Sequence, residues 1–188
     1  MGLDMYLEAE MYVGGWDHAK EPERALYRSL LESVGLQSVA SPDSPSIHVS
    51  VTVACWRKAN AIHRWFVETL ADGEDDCQRM YVGPESVRAL FDLCNKVLTS
   101  VETVEGEVAN GTTHYPDGAV VAHTIPGTVV AQQGIARSML PTKGGCFFGC
   151  TDYDEGYLAD LRDTIRQLTP FLDKEWHKRY SLYYRASW

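Results

Sequence analysis

Hydrophobic and polar positions alternate with a period of two in two stretches of the chain, residues 3–13 and residues 47–54, which predicts two β-strands. The second stretch is rich in β-branched side chains, and a third stretch, residues 178–188, is predicted to be a strand because it is rich in tyrosine. A helix and a loop separate the first two stretches. The first two strands can therefore lie antiparallel in one sheet, and the third can complete it.

In four further stretches the apolar residues recur three or four positions apart, which predicts amphipathic helices. The usual start and stop signals place their beginnings near Pro22, Asn60, Pro84 and Tyr153, and Pro170 ends the last one. For this last helix, Thr151-x-x-Asp154 and Asp152-x-x-Glu155 both resemble capping boxes.

Two segments differ from these regular patterns. Residues 101–139 are poor in helix formers and contain turn dipeptides, and Pro126-Gly127 predicts a β-hairpin turn within them. We interpret this segment as an insertion that forms a lid or a partner surface. Residues 146–151 predict a short buried strand before the last helix. The whole pattern predicts a single α+β domain spanning residues 1–188, with a small mixed or antiparallel sheet of about four strands and three to four helices packed on it.

The second strand meets the second helix at a junction that is rich in polar residues, and this is the main candidate site. Arg57, Lys58 and Asn60 lie there, at the start of the helix. The first turn of a helix has unpaired N–H groups and a positive dipole end, and two cations beside it favour phosphate or carboxylate. The alternative is that both cations lie at a solvated corner, that Asn60 caps the helix and that Trp56 packs in the core.

The start of the last helix could face this junction if the strands that lead into the two helices are neighbours in one sheet. Three aromatic side chains near the two junctions would then be available to stack on a base. The predicted ligand-binding residues are Trp56, Arg57, Lys58, Asn60, His63, Tyr153, Asp154, Tyr184 and Arg185.

The sequence identifies neither a cofactor nor a metal. The acidic turn at residues 72–77 fits no established metal-binding spacing, and Cys146 and Cys150 lack the Cys-x-x-Cys spacing of a zinc knuckle. Neither a Walker loop nor a Gly-x-Gly-x-x-Gly fingerprint is present. The cofactor is therefore unknown, and we assign no catalytic residue on the basis of a motif.

The charge limits the classes of partner. Seventeen Lys and Arg residues against twenty-six Asp and Glu residues give a net charge of −9, which disfavours generic nucleic-acid binding. A local basic pocket can still hold a small anion, and the acidic surface could bind a basic partner, including a nucleic-acid-binding enzyme. The odd number of cysteines, five, and an N-terminus without signal-peptide features lead us to expect a reducing cytoplasm. No apolar stretch approaches the length of about 20 residues that spans a bilayer.

Several motifs resemble those of a family of small proteins of unknown activity, found mainly in tailed bacteriophages and prophages. The matching segments are 1–7, 56–60, Ile62, His63, Trp65, Phe66, 75–77, 140–142, 147–149, 151–155, Tyr157 and 183–188. Cys55, Cys150 and Ala186 depart from the family pattern, which argues against a catalytic role for these three positions. The resemblance implies a phage-encoded accessory protein in the cytoplasm of the host cell.

Three functions remain open at this point. The leading hypothesis is a protein that binds a small phosphorylated, nucleotide-like ligand, which a phage could use to sequester a host defence signal or to manage nucleotides. The second is an enzyme that processes phosphate esters or nucleotides in the same pocket, with His63 as general acid or base and Arg57 stabilising the transition state. Its second acidic group would be one of Asp75, Asp76, Asp154 and Glu155. The third is an acidic inhibitor that binds a host factor through residues 101–139.

Overall fold

The computed structural model describes residues 2–145 and 147–188 and has an α+β fold. Its strands are β1 (Asp4–Gly14), β2 (Ser46–Arg57), β3 (Met80–Val82), β4 (Thr103–His114), β5 (Val120–Val130) and β6 (Ser181–Ser187). Its helices are α1 (Glu21–Val34), α2 (Asn60–Leu70), α3 (Pro84–Ser100), α4 (Gln133–Met139) and α5 (Glu155–Leu168). Two short 3₁₀ turns, Thr169–Leu172 and Trp176–Lys178, connect α5 to β6.

The main sheet has four antiparallel strands in the order β2-β1-β6-β3. The predicted antiparallel pairing of the first two strands is confirmed. Their register shifts between Leu7 and Glu8: Leu7 lies opposite Ala54, whereas Glu8 lies opposite Thr52. Val53 is therefore an additional residue on β2, which is the arrangement of a β-bulge. The predicted C-terminal strand is present as β6, between β1 and the short β3, which the sequence did not predict.

The hydrophobic core lies between one face of this sheet and the helices packed on it. Apolar side chains that alternate along β1 point into this core, as the period of two predicts. Fully buried members from different elements include Leu7 of β1, Phe66 of α2, Leu90 of α3, Leu161 of α5 and Leu182 of β6. The predicted fold class, a four-stranded sheet with helices packed on it, is confirmed.

The predicted insertion contains a long antiparallel hairpin, β4–β5, but the predicted turn is wrong. The chain reverses at residues 115–119, where the N–H of Tyr115 donates to the carbonyl of Ala119 at 2.9 Å. Pro126 and Gly127 lie within β5, opposite Glu107 and Gly106. A Cβ atom on Gly127 would lie 2.8 Å from a methyl carbon of Val108, so this glycine permits close side-chain packing within the hairpin.

The short strand predicted at residues 146–151 is also wrong for the described residues 147–151, which form a loop, whereas Cys146 lies outside the described residues. Asn60 Nδ2 donates to the carbonyls of Phe148 and Cys150, and Thr142 Oγ1 donates to that of Thr151 at 2.8 Å. The carbonyl of Phe147 accepts from the N–H of Leu3 at 3.3 Å, just before β1, and no strand ladder forms over 147–151. Asp154, and not Thr151 or Asp152, caps α5 by accepting from the N–H of Tyr157.

Candidate functional site

A cleft of about 310 Å³ lies between the β2–α2 junction and the segment that runs from Thr142 into α5. Its lining includes Arg57 and Lys58 on one side and carboxylates of the α5 region on the other. This volume is at the lower end of the range for small-molecule sites. The two predicted junctions therefore do meet, although the second is a loop and not the end of a strand.

The backbone at the junction fixes where the two cations lie. Arg57 is the last residue of β2, and Lys58 adopts a left-handed conformation with φ of 60°. The N–H of Lys58 donates to the carbonyl of Leu3 at 2.7 Å, which ties this turn to the beginning of β1. Gly149 also has a positive φ, and a Cβ atom there would lie 3.0 Å from Lys58 Cβ. Gly149 is thus suited to its place both by conformation and by the close approach of Lys58.

Asn60 holds the second wall of the cleft in place. Its Nδ2 donates to the carbonyls of Phe148 at 3.1 Å and Cys150 at 2.7 Å, and its Oδ1 accepts from the N–H of Lys143 at 3.1 Å. The side chain is buried, and the residue is the first of α2, so it does not cap the helix. Asn60 lines the cleft, but three of its hydrogen-bonding positions are used internally, so the structure gives it a role in positioning the loop. Its contact with a ligand stays a prediction.

His63 is not exposed to the cleft, which corrects its predicted role as a ligand or an acid–base group. It is only 1% exposed, and both ring nitrogens have partners. Nδ1 lies 2.8 Å from the hydroxyl of Tyr184, and Nε2 lies 3.1 Å from Oδ2 of Asp75. Lys143 Nζ approaches the same oxygen at 3.0 Å, and Trp188 Nε1 donates to Oδ1 of Asp75 at 3.3 Å.

The pKa shifts in this buried network define its protonation. Burial lowers the pKa of His63 by more than Asp75 raises it, so the imidazole is neutral at pH 7. Burial opposes ionisation of Asp75, but Lys143 and His63 outweigh this effect and lower its pKa. Burial, with the nearby Asp75, raises the pKa of Tyr184. Nε2–H of His63 therefore donates to the Asp75 carboxylate, and Nδ1 accepts from the Tyr184 hydroxyl.

None of the three predicted stacking aromatics offers a ring face to a ligand. Trp56, Tyr153 and Tyr184 are all buried. Trp56 Nε1 donates to Thr164 Oγ1 at 3.0 Å, and the Tyr153 hydroxyl accepts from the N–H of Thr142 at 3.2 Å. All three rings therefore pack in the core with their polar atoms hydrogen-bonded, which was the alternative given for Trp56, and are not available for base stacking.

Arg57 and Lys58 are the predicted cations that reach the cleft. The Arg57 side chain is 73% exposed, and its Nε lies 3.7 Å from Asp4 Oδ1, which is beyond hydrogen-bond distance. Lys58 is exposed and forms no ion pair with another described residue. Arg185, in contrast, bonds to Glu8 at 2.7 Å and lies over the ring of Tyr6, and it does not line the cleft. Of the predicted site residues, Arg57, Lys58 and Asn60 thus line the cleft on one side and Asp154 lines it on the other.

The opposite wall contains two acidic residues that were not among the predicted ligand-binding residues. Asp152 and Asp160 line the cleft together with Asp154. Burial, with the charges of Asp163 and Asp154, raises the pKa of Asp160 to about 7. A helical wheel could have indicated Asp160, because it lies three residues after Tyr157 and four before Thr164, on the buried side of α5.

The other carboxylates considered for an enzyme lie elsewhere. Asp75 belongs to the buried network, Asp76 Oδ1 accepts from the N–H of Gln78, and Glu155 pairs with Arg162 on the exposed side of α5. Within residues 2–145 and 147–188, no group of three or more His, Cys, Asp or Glu side chains is arranged to hold a metal ion. Among the same residues no helix has the length and apolarity needed to cross a membrane.

Comparison with known proteins gives no relative from which a function could be transferred. No protein-family model, no curated protein and no solved structure matches the chain.

Proposed function

We propose that the protein binds a small phosphorylated ligand in the cleft between the β2–α2 junction and α5. The proposal depends on one observation. Arg57 and Lys58 line this cleft, and no carboxylate of the described residues is within hydrogen-bond distance of either head group. Cations at a concave site that form no hydrogen bond to a carboxylate are suited to an anion, and the Arg guanidinium can bind phosphate through two parallel hydrogen bonds.

The opposite wall limits the rest of the ligand. Asp152, Asp154 and Asp160 supply hydrogen-bond acceptors, which suit hydroxyl or amine groups. The volume of about 310 Å³ favours a ligand of the size of a sugar phosphate or a mononucleotide. Because Trp56, Tyr153 and Tyr184 are buried, binding of a nucleotide would not use base stacking on these rings.

The biological part of the proposal depends on the resemblance to phage proteins. In an infected cell, a protein with such a cleft could sequester a phosphorylated host signal. This role requires tight binding without turnover.

Thermal unfolding with a ligand panel tests the binding proposal. The panel is inorganic phosphate, ribose 5-phosphate, AMP and cyclic AMP. A ligand at about ten times its Kd adds about 1.4 kcal/mol to the free energy of unfolding, which raises the Tm by about 3 to 6 °C for a chain of this size. We expect at least one phosphorylated compound to raise the Tm of the wild type.

Arg57→Ala and Arg166→Ala form a matched pair for this test. The two arginine side chains are 73% and 71% exposed, but Arg166 pairs with Asp163 on α5 and does not line the cleft. The ligand-induced rise in Tm should disappear in Arg57→Ala and persist in Arg166→Ala. No stabilisation of the wild type by any compound, or equal loss in both variants, would contradict the proposal.

A second proposal is an enzyme that hydrolyses a phosphate ester in the same cleft. The observation that favours it is Asp160, whose pKa of about 7 lets it exchange a proton near neutral pH. Asp160 would act as general base or acid, and Arg57 would stabilise charge on the phosphoryl oxygens.

Phosphorus NMR separates the enzyme from the binding protein. Ribose 5-phosphate and AMP would be incubated with the wild type and with Asp160→Asn. An inorganic phosphate signal that grows with the wild type and is greatly slowed by Asp160→Asn would support catalysis. Spectra that stay unchanged over a long incubation, with binding intact, would favour the binding protein and exclude hydrolysis of these esters.

A further inference from the structure

The edge strand β2 lacks the features that usually prevent strand edges from pairing. It is twelve residues long, and residues 46–56 contain no proline and no Asp, Glu, Lys or Arg. The opposite edge of the sheet, β3, has only three residues. Natural sheets protect their edges with short strands, charged side chains, prolines or bulges. β2 has a bulge at Val53, but residues 46–52 form an uninterrupted edge.

The backbone of this edge has few partners on the side away from β1. Among the described residues, the hydrogen bond found there is from the N–H of Cys55 to Oε1 of Gln167. His48, Ser50, Val51 and Thr52 are exposed. Residues 46–52 can therefore accept another strand without displacing a bond that the structure shows.

An apolar hollow of about 250 Å³ adjoins this edge. It is lined by Ala9, Met11, Val49, Val51, Val53, Trp176 and Tyr180. Val51 lies opposite the buried Ala9 and so belongs to the core face of the sheet, yet it is 55% exposed. The helices thus leave part of the core face uncovered, and this part lies beside the open edge.

We infer that a second copy of this chain pairs with β2, edge to edge and antiparallel. In a two-fold arrangement centred on Ser50, Val49 of each copy lies opposite Val51 of the other, within the uninterrupted part of the edge. These residues share one face of the sheet, so the two apolar hollows become continuous. The edge is self-complementary, as a two-fold interface requires, and this favours a second copy over a strand of another protein.

Charge also suits this arrangement. Each copy has a net charge of −9, so association needs a contact from which acidic residues are absent, and residues 46–56 provide such a contact. The resulting sheet has eight strands, within the usual range for open sheets.

Sedimentation equilibrium of the full chain, from low to several hundred micromolar, tests the inference. We expect a mass of twice 21.0 kDa at the higher concentrations. Val51→Lys places cations close together across the two-fold axis and should weaken dimerisation by about tenfold or more. Val120→Lys is the matched control, because Val120 is 57% exposed on β5, far in sequence from β2, and this variant should dimerise like the wild type.

Circular dichroism would check that both variants are folded, and hydrogen exchange of the wild type gives an independent reading. Amides of residues 47–52 should exchange more slowly at high protein concentration than at low concentration. A wild type that stays at 21.0 kDa throughout, or equal effects of the two lysine substitutions, would overturn the inference and leave this edge to a strand of another protein.

Discussion

Two groups of polar residues lie at the same strand-to-helix junction, and they differ in how far their hydrogen-bonding capacity is used. Asn60 and His63 are buried in α2, and their side chains are bonded to the loop, to Tyr184 and to Asp75. Arg57 and Lys58, which Ala59 separates from the helix, are exposed at the cleft. The sequence places all four within seven positions, but the structure divides them into a structural pair and a pair available to a ligand.

This difference shows that polar residue type alone does not identify a binding site. A buried polar group must be paired within the protein, because an unpaired one costs about 1 to 3 kcal/mol. Once it is paired, it has little capacity left for a ligand. Substitutions in the buried group should therefore change the stability, and substitutions at the exposed pair should change binding.

The largest expected effect is that of Tyr184→Ala. The ring is fully buried and stacks on Phe66 with centroids 4.0 Å apart. Its loss should lower the free energy of unfolding by about 3 to 5 kcal/mol, measured by urea denaturation. Tyr184→Phe keeps the ring but leaves Nδ1 of His63 without its donor, so it should cost about 1 to 3 kcal/mol. A Tyr184→Ala protein as stable as the wild type would refute a structural role for this network.

Asn60→Ala should have the next largest effect. It removes three hydrogen bonds and leaves the backbone of the loop at Lys143, Phe148 and Cys150 without these partners, so we expect a loss of about 2 to 4 kcal/mol. Asn95→Ala is the control, because Asn95 Nδ2 makes a single bond, to Phe91 O within α3. If the two variants unfold at the same urea concentration, Asn60 does not hold the loop.

Asp160→Asn should change how stability depends on pH. The folded-state pKa of Asp160 is about 7, raised from 3.8, so the contribution of this carboxyl is present at low pH and is lost as the pH rises through 7. The free energy of unfolding of the variant minus that of the wild type should therefore be larger at pH 8 than at pH 5. The increase should be about 1 to 2 kcal/mol after allowance for the partial exposure of Asp160.

His63 has the opposite dependence, since its lowered pKa gives a contribution that is present above the unfolded-state value of 6.5 and is lost as the pH falls. Both proteins contain His63, so the difference between their urea denaturation curves isolates Asp160. A difference that is the same at pH 5 and pH 8 would mean that Asp160 is ionised throughout this range.

The smallest effect on stability is expected from Lys58→Gly. Glycine adopts the positive φ of 60° without strain but has more freedom in the unfolded chain, so the stability should stay within about 1 kcal/mol of the wild type. Its affinity for ribose 5-phosphate, measured by calorimetric titration, should fall by about tenfold, because one cation is removed. Unchanged affinity would show that Lys58 does not contribute to ligand binding.

The sequence predicts the fold better than it predicts the site. The period of two along β1 and the helical spacing after Asn60 and Pro84 are local patterns, and they give these elements close to their observed bounds. On α2, however, Asn60 and His63 lie on the buried side of the helix, although both were predicted to contact a ligand. The partners that allow this burial, Tyr184 and the loop near residue 148, are more than 80 residues away in sequence.

The predicted strand at residues 146–151 failed for a related reason. Its glycines and aromatic residues resemble a short buried strand, but the structure shows a loop over 147–151, two of whose carbonyls are bonded by Asn60. A periodic pattern does not reveal a hydrogen bond to a distant side chain. The cations at 57 and 58 were correctly placed at the junction because their position depends only on where β2 ends and α2 begins.

A titration of the ¹⁵N-labelled protein with ribose 5-phosphate, followed by amide chemical shifts, tests the central claim most directly. We predict saturable shifts at Lys58 and Ala61 on one wall of the cleft and at Gly149 and Gly156 on the other, with little change in β6 and in the hairpin β4–β5. Shifts that do not saturate, or that fall mainly in the hairpin, would contradict the account that Arg57 and Lys58 form a ligand site.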